Sequence, residues 1–290
     1  MAFRTIVIND RCKLEYSLNY LICRKLNDEK RVVLDEIKLL IINSTQVSIS
    51  SYLINKCIEK KIKIIITDDS HNPSGEIVSY YNNYYPYRKI KEQISFSDDN
   101  KKYLWKEIIY EKINNQSRNL KMKNKFQEYE MLVDYRNNIE LDDVTNREGH
   151  SAKVYFNTLF GKEFNRRSDC FINTALNYGY SIVLATINRE IKSFGYLTEL
   201  GIHHIGESNQ FNLSCDFIEP LRPLIDSYVI NGQANEDNYR SLFINMLSKE
   251  VFYNNQLIKL DNAIHLYVED LLLYLKTGEK GRIKFIKYEL

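Results

Sequence analysis

Two adjacent histidines, His203 and His204, stand ahead of Asp216 and Glu219 in the stretch GIHHIGESNQFNLSCDFIEPLRPLID (201–226). The whole chain holds only 5 histidines, so their placement here invites a chemical reading. One imidazole with two or three carboxylates suits Mg2+ or Mn2+, whereas structural zinc prefers thiolates and more imidazoles. A further carboxylate is available at Glu148 in TNREGHSAKVYFNTLFG (145–161). There, Val154, Tyr155, Thr158 and Leu159 share one helical face that can lock the helix into a core while Glu148 faces a cleft. Both acid pairs also have a plain explanation. Asp216 with Glu219, and Thr145 with Glu148, have the spacing of a capping box, in which a helix-capping side chain and an acid three residues later satisfy backbone N–H groups. Pro220 fits a first helical turn, where its missing N–H costs nothing. Capping explains the acids but leaves His203 and His204 unexplained, and on spacing alone both readings stand.

The elements that must position these residues fall into two groups. The chain has 290 residues, 44% hydrophobic and 27% charged, enough for one large domain or two ordinary ones with full cores. Gly and Pro number 10 and 4, which leaves little room for long linkers. The first group reads as short strands: FRTIVIND (3–10), YLICRK (20–25), RVVLDE (31–36), IKLLII (37–42), QVSIS (46–50) and KIIITDD (63–69). They are rich in β-branched and aromatic residues and punctuated by Asn, Asp and Lys. One helix interrupts them at 50–62, with Leu53, Ile54, Cys57 and Ile58 on one face and Ser50 or Ser51 able to cap it. DDSHNPSGE (68–76), with Pro73 and Gly75, marks a boundary.

Helical patterns dominate from Asp98 onward. Trp105, Ile108, Ile109 and Ile113 share a face, and Asn173–Gly195 reads as a long buried helix with Asn173 as its cap. Residues 242–252 and 263–277 read as two more helices. The expected fold is therefore α+β: a small N-terminal β-sheet or sandwich domain with one helix (1–72), a linker (73–97), and a larger all-α catalytic domain (98–290).

Net charge is only +2, so nucleic acid, if bound, must meet local basic patches. Residues 141–230 are the acidic part, with 8 basic and 11 acidic groups. Candidate patches are Arg88, Lys89 and Lys91, which follow the tyrosines of YYNNYYPY (80–87), and Lys121 and Lys123 in RNLKMKNKFQ (118–127). Aromatics interleaved with bases serve nucleic-acid contact, and serve equally well as packing surface. The 5 cysteines are odd in number, and no pair has zinc-ligand spacing. No apolar run is long enough for a signal or a bilayer span. A reduced cytoplasmic protein with free thiols is expected.

Taken in order, NREGHSAKVYFNTLFG, INTALNYGYSIVLATINREI, and LGIHH followed by NQFNLSCDFIEPLRPLID resemble the CRISPR-associated adaptation integrase, the universal spacer-acquisition nuclease. More narrowly they resemble its type II-A form, where segments like REGH, YFNTLFG, NYGY and EPFRPLVD recur. The resemblance covers nearly the whole chain. It implies that Glu148, His204 and Glu219 bind Mg2+ or Mn2+ and are catalytic, with His203 a neighbour without a role. Asp216, Arg222, Asn173 and Tyr178 would lie near the site, Asp216 as a supporting group or occasional ligand. Glu219 is longer than the aspartate common in relatives, and Leu221 replaces a commoner Phe. The implied reaction joins the 3′-hydroxyl ends of a short DNA to a leader–repeat boundary by transesterification. Implied partners are DNA, a second copy in a homodimer through the N-terminal domain, and a small ferredoxin-like protein completing a heterohexamer. A ring-shaped DNA-binding protein and the RNA-guided effector nuclease are also implied, all in a bacterial cytoplasm. Arg166 and Arg167 join the candidate DNA contacts. Two alternatives remain: a metal-dependent phosphodiesterase that cuts without joining, and a non-catalytic nucleic-acid scaffold in which the acids only cap helices.

Overall fold

The computed structural model describes residues 4–26, 28–69, 73–77 and 86–288. The chain divides into two compact units, residues 1–82 and 83–290. The structure is mixed α+β, with a β-rich first unit and a helical second one.

In the first unit, β1 (Arg4–Ile8), β2 (Cys12–Ser17), β3 (Tyr20–Arg24), β4 (Glu29–Val33), β5 (Ile37–Ile42), β6 (Val47–Ile49), β7 (Lys63–Thr67) and β8 (Pro73–Ile77) form two four-stranded sheets. One has the order β1-β5-β7-β8, parallel except for β8. The other has the order β4-β3-β2-β6. The hairpin joining β2 to β3 turns on Leu18 and Asn19, both in the left-handed region (φ 47° and 68°), the geometry a two-residue turn needs to match strand twist. The apolar run of β5, with α1 (Ser51–Glu59) supplying Leu53 and Cys57, forms a shared core with Leu14, Leu21 and Ile64. Ser50 caps α1 by accepting from Leu53 N at 3.2 Å.

Two boundaries differ from expectation. The segment 73–97, read as a linker, holds β8, which pairs with β7, and α2 (Pro86–Ile94). Pro73 suits β8 because an edge strand has a free donor side. Of the tyrosines in 80–87, Tyr80, Tyr81, Tyr84 and Tyr85 lie outside the described residues, and Tyr87 is exposed on α2.

The second unit is built around α3 (Asp98–Met122), started by Ser97, whose hydroxyl accepts from Asn100 N at 3.1 Å. Leu104, Trp105, Ile108, Ile109, Ile113 and Leu120 are buried along it. Around it stand α4 (Phe126–Asn137), α5 (Arg147–Phe160), α6 (Phe171–Ser193), α7 (Asn212–Ile218), α8 (Arg222–Ile230), α9 (Tyr239–Met246) and α10 (Leu260–Thr277). The unit is not all-α. The helix expected over 242–252 stops at Met246, and β9 (Glu250–Tyr253) pairs antiparallel with β10 (Gln256–Lys259). Asn254 and Asn255, both left-handed, make the tight turn that Asn tolerates better than most residues.

Gly179 lets α6 approach its neighbours closely. A Cβ there would lie 2.5 Å from Ile225 Cγ2 and 3.1 Å from the Phe243 ring. Among the described residues no helix is long and apolar enough to cross a membrane. All five cysteines are free, with Cys12 and Cys57 buried and the others half-buried. Gly179→Ala should destabilise the protein by about 1–3 kcal/mol through overpacking, measured by denaturant unfolding. A change near zero would show that α6 and α8 can part to admit a methyl group.

Candidate active site

The site begins with one lysine on a buried helix face. Trp105, Lys112 and Asn119 recur at seven-residue spacing on α3, so they form one stripe. Lys112 is 5% exposed. A buried ammonium is costly unless it is paired and hydrogen-bonded. Lys112 Nζ donates to Glu148 Oε1 and to Glu219 Oε2. Two carboxylates from distant motifs thus meet on one positive charge. Burial opposes the charged form of Lys112, but Glu219 and Glu148 outweigh it and raise its pKa.

Glu148 reaches this point from the first turn of α5. The cap differs from the T-x-x-E reading. Asn146 takes the capping position in a left-handed conformation (φ 51°), and its side chain accepts from Gly149 N at 3.1 Å. The Asp143 carboxylate accepts from Arg147 N at 2.8 Å and from Glu148 N at 2.9 Å. Asp143 thereby satisfies the N–H groups that Thr145 was expected to serve, and Glu148 is free to face Lys112.

Glu219 reaches it through a broken helix. α7 ends at Ile218, residues 219–221 form a single 3-10 turn, and α8 starts at Arg222. Asn115 and Asn119 of α3 pair the carbonyls of Pro220 (3.1 Å) and Pro223 (2.8 Å). Burial opposes ionisation of Glu219, but Arg222 and Lys112 prevail and hold its pKa at about 2. Arg222 Nε donates to Glu219 Oε1 at 2.8 Å, and the guanidinium lies 4.6 Å from the centre of the Tyr180 ring.

Asp216 does not cap its helix. It lies inside α7, fully buried, and its carboxylate accepts from the loop that bears the histidines: Ile202 N at 2.7 Å, His203 N at 3.3 Å and His204 N at 3.0 Å. Its Oδ1 also lies 2.7 Å from His204 Nδ1. The Asp216 hydrogen bond raises the His204 pKa from its ordinary 6.5, with burial acting against it. The bond leaves Nε2 as the free ring nitrogen, the arrangement in which a supporting carboxylate orients a metal-binding imidazole. Gly201 makes the turn possible, because a Cβ there would lie 2.2 Å from His204 O and 2.9 Å from Asp216 Oδ2. His203 stacks on Trp105, with ring centres 4.1 Å apart and planes 6° apart, and its Nδ1 lies 3.4 Å from Asp142 Oδ1. Beside this loop a cleft of about 450 Å³ is lined by Phe96, Leu200, His204 and Ile205.

The remaining candidates separate. Asn173 lies inside α6, one turn past the Cys170 cap position, so it is not the cap. Its amide donates to Asn165 O and Ser168 O, both at 2.8 Å, and its oxygen accepts from Arg166. Arg166 also donates to Asn177 at 2.7 Å and lies 5.5 Å from the centre of the Tyr180 ring, the ring that Arg222 also approaches. Tyr180 donates to the buried Asp226, whose pKa burial raises to about 6. Tyr178 is core, packed edge-on against Tyr239 at 5.4 Å, and burial lifts its pKa to about 12. Lys89 is held by Tyr196 Oη (3.1 Å) and Glu92 (3.4 Å) rather than free for a ligand. Arg88, Lys91, Lys121 and Arg167 are exposed, and Lys123 closes the end of α3.

The acids and imidazole match Mg2+ or Mn2+ in kind: hard carboxylate oxygens and a ring nitrogen already oriented by Asp216. Among the described residues no three His, Cys, Asp or Glu side chains are gathered tightly enough to hold a metal ion. The geometry shows why: Lys112 stands where Glu148 and Glu219 converge, and His204 is drawn toward Asp216. Lys112 was not foreseen from the sequence. Its signal was a lone lysine among Ile108, Ile109 and Ile113 on the buried face, a position lysine occupies only when paired.

A family model described as "CRISPR associated protein Cas1" matches residues 5–260. A relative from Neisseria meningitidis serogroup C (strain 8013), named CRISPR-associated endonuclease Cas1, is 32% identical over 231 residues, covering 80% of this chain and 76% of its own. Among solved structures, a chain of a "Cas6-RT-Cas1--Cas2 complex" has a TM-score of 0.78 at 18% identity, with 99% of this chain aligned to 36% of that longer one. A "Casposase bound to integration product" has a TM-score of 0.71 at 19% identity over 96% of this chain and 92% of that one.

In an NMR titration, the His204 imidazole should keep its proton to a pH above 6.5, and Asp216→Asn should bring the midpoint down. An unchanged midpoint in the variant would mean that Asp216 does not set it.

Proposed function

The chain belongs to the CRISPR-associated Cas1 family, and on that premise we propose that it is a metal-dependent DNA endonuclease and integrase of CRISPR adaptation, of the type II-A form. The observation that carries the reading is the meeting of Glu148 and Glu219 on one buried cation, next to an imidazole oriented by Asp216. Glu148, Glu219 and His204, through Nε2, would hold Mg2+ or Mn2+. Such an ion, when bound, polarises a phosphodiester and stabilises charge on the attacking and leaving oxygens.

The chain's own residues do the rest by placement. Asp216 fixes the imidazole and the loop that bears it. Arg222 holds Glu219 ionised and in one rotamer. Arg222 and Arg166, both close to the Tyr180 ring, offer planar donors to a phosphate entering beside Glu219. The nucleophile is the 3′-hydroxyl of a short DNA. Its oxygen forms a new bond to phosphorus at the leader–repeat boundary, the bond from phosphorus to the leaving 3′-oxygen breaks, and that oxygen takes the proton. One ester replaces another, so no nucleotide cofactor is consumed. Alignment and a preorganised charge environment carry most of the rate.

The solved relative's assembly with Cas2 supports a small Cas2-type partner. We extend the reading to a homodimer formed through the N-terminal unit, two such dimers flanking that partner, in the bacterial cytoplasm. The ring-shaped DNA-binding protein and the RNA-guided effector nuclease of type II-A systems complete the set. The second reading, cutting without joining, uses the same site and differs only in its product. The scaffold reading loses its main support, since neither Asp216 nor Thr145 serves as the cap it requires.

The test is a strand-transfer assay with the Cas2-type partner, a labelled short DNA bearing 3′-hydroxyl ends and a leader–repeat target. Branched product should appear with Mg2+ or Mn2+ and vanish with chelator. Glu148→Ala, His204→Ala and Glu219→Ala should each lose at least about a hundredfold, and Asp216→Asn about 10- to 100-fold. Nicked fragments alone would favour cutting without joining, and neither product would remove the catalytic reading. Coordination needs a neutral imidazole, so metal-dependent activity should decline on acidification from above pH 6.5. A flat profile through that range would sink His204 as a ligand.

A further inference from the structure

Lys112 does more than fill a gap. Its ammonium touches Glu148 Oε1 and Glu219 Oε2, so one oxygen of each acid is taken up by the same cation. The other Glu219 oxygen, Oε1, is committed to Arg222 at 2.8 Å. Glu219 therefore has one oxygen to give to a cation, and Lys112 holds it. Lys112 and Arg222 already balance the charge of the two carboxylates. A divalent ion added between the same oxygens would place two further positive charges beside an ammonium in a buried setting, where like charges repel strongly. The lysine stem has four rotatable carbons, so the ammonium can withdraw without moving α3. Glu148 is the more exposed acid, with its side chain 31% accessible against 7% for Glu219, so the way out lies on its side.

We propose that Lys112 is the resident counter-cation of the Glu148–Glu219 pair, and that a divalent ion enters by displacing its ammonium. This rests on the metal-dependent reading of the site. Lys112 then has two effects. It keeps two acids together that would otherwise repel each other before metal arrives, and it raises the metal concentration the site needs. If the ammonium occupies the place nine-tenths of the time, apparent metal affinity falls about tenfold.

The test measures Mn2+ binding directly, without DNA, from the EPR signal of the free ion. Lys112→Met should bind Mn2+ on the order of tenfold more tightly than the parent, and its metal-free form should melt at a lower temperature. Equal or weaker binding by a folded variant would overturn the proposal and make Lys112 a companion of the metal. Should the variant not fold, the parent decides the matter. Acylation of Lys112 by an amine-reactive reagent, read by mass spectrometry, should rise when Mg2+ saturates the site. A lysine that stays protected in the saturated parent sinks the displacement. If neither parent nor variant binds Mn2+, the metal-dependent reading falls and this proposal with it. Equal affinities overturn the displacement alone.

Discussion

A lysine ammonium inside a protein must find carboxylates, because removing either partner of such a buried contact costs about 3–5 kcal/mol. Lys112 sits in the middle of α3, so its demand is met only if the first turn of α5 and the 3-10 turn after α7 both come to it. The rest of the site extends that demand along one helix stripe. Trp105, two turns earlier, carries the stacked ring of His203. Asn115 and Asn119, one and two turns later, donate to the carbonyls of Pro220 and Pro223 on either side of Arg222. One helix thus sets the relative positions of three motifs that lie far apart in the chain.

Asp216 and Glu219 are three residues apart, yet they do opposite work. Asp216 lies within a helix and spends its oxygens on backbone N–H groups and one imidazole. It builds a loop. Glu219 lies where the helix breaks, and its partners are two side-chain cations. Side-chain cations can be exchanged for another cation far more readily than three backbone N–H groups can be replaced, so Glu219 is the acid suited to chemistry. The break itself follows from Pro220 and Pro223, which cannot donate to a continuous helical ladder.

Much of this was legible beforehand, and the failures have identifiable causes. The apolar faces of α1 and α3 follow from their periodicity, and the β-rich start follows from its β-branched runs. The acids and His204 were marked by residue type. What escaped was whatever depends on partners far away in the chain. The spacing of Asp216 and Glu219 fits a capping box, but a carboxylate takes the nearest unsatisfied N–H groups, and those belong to residues 202–204. Asn146 and Asp143 displaced Thr145 as the cap because left-handed backbone, which Asn and Asp accept, turned their side chains onto α5. The hairpin after α9 was hidden by apolar residues compatible with helix, and only the Asn254–Asn255 pair signalled a turn. Lys112 had no local signature beyond being a charge in an apolar row.

The reach of Glu219 carries a further consequence for the buried ammonium it meets. An aspartate in its place would be one methylene shorter and would pull its oxygens away from α3, leaving a buried ammonium with a single acid. The length of the acid at position 219 and the identity of residue 112 are therefore tied. Shortening the acid at 219 or removing the ammonium at 112 leaves the other with a buried charge short of a partner.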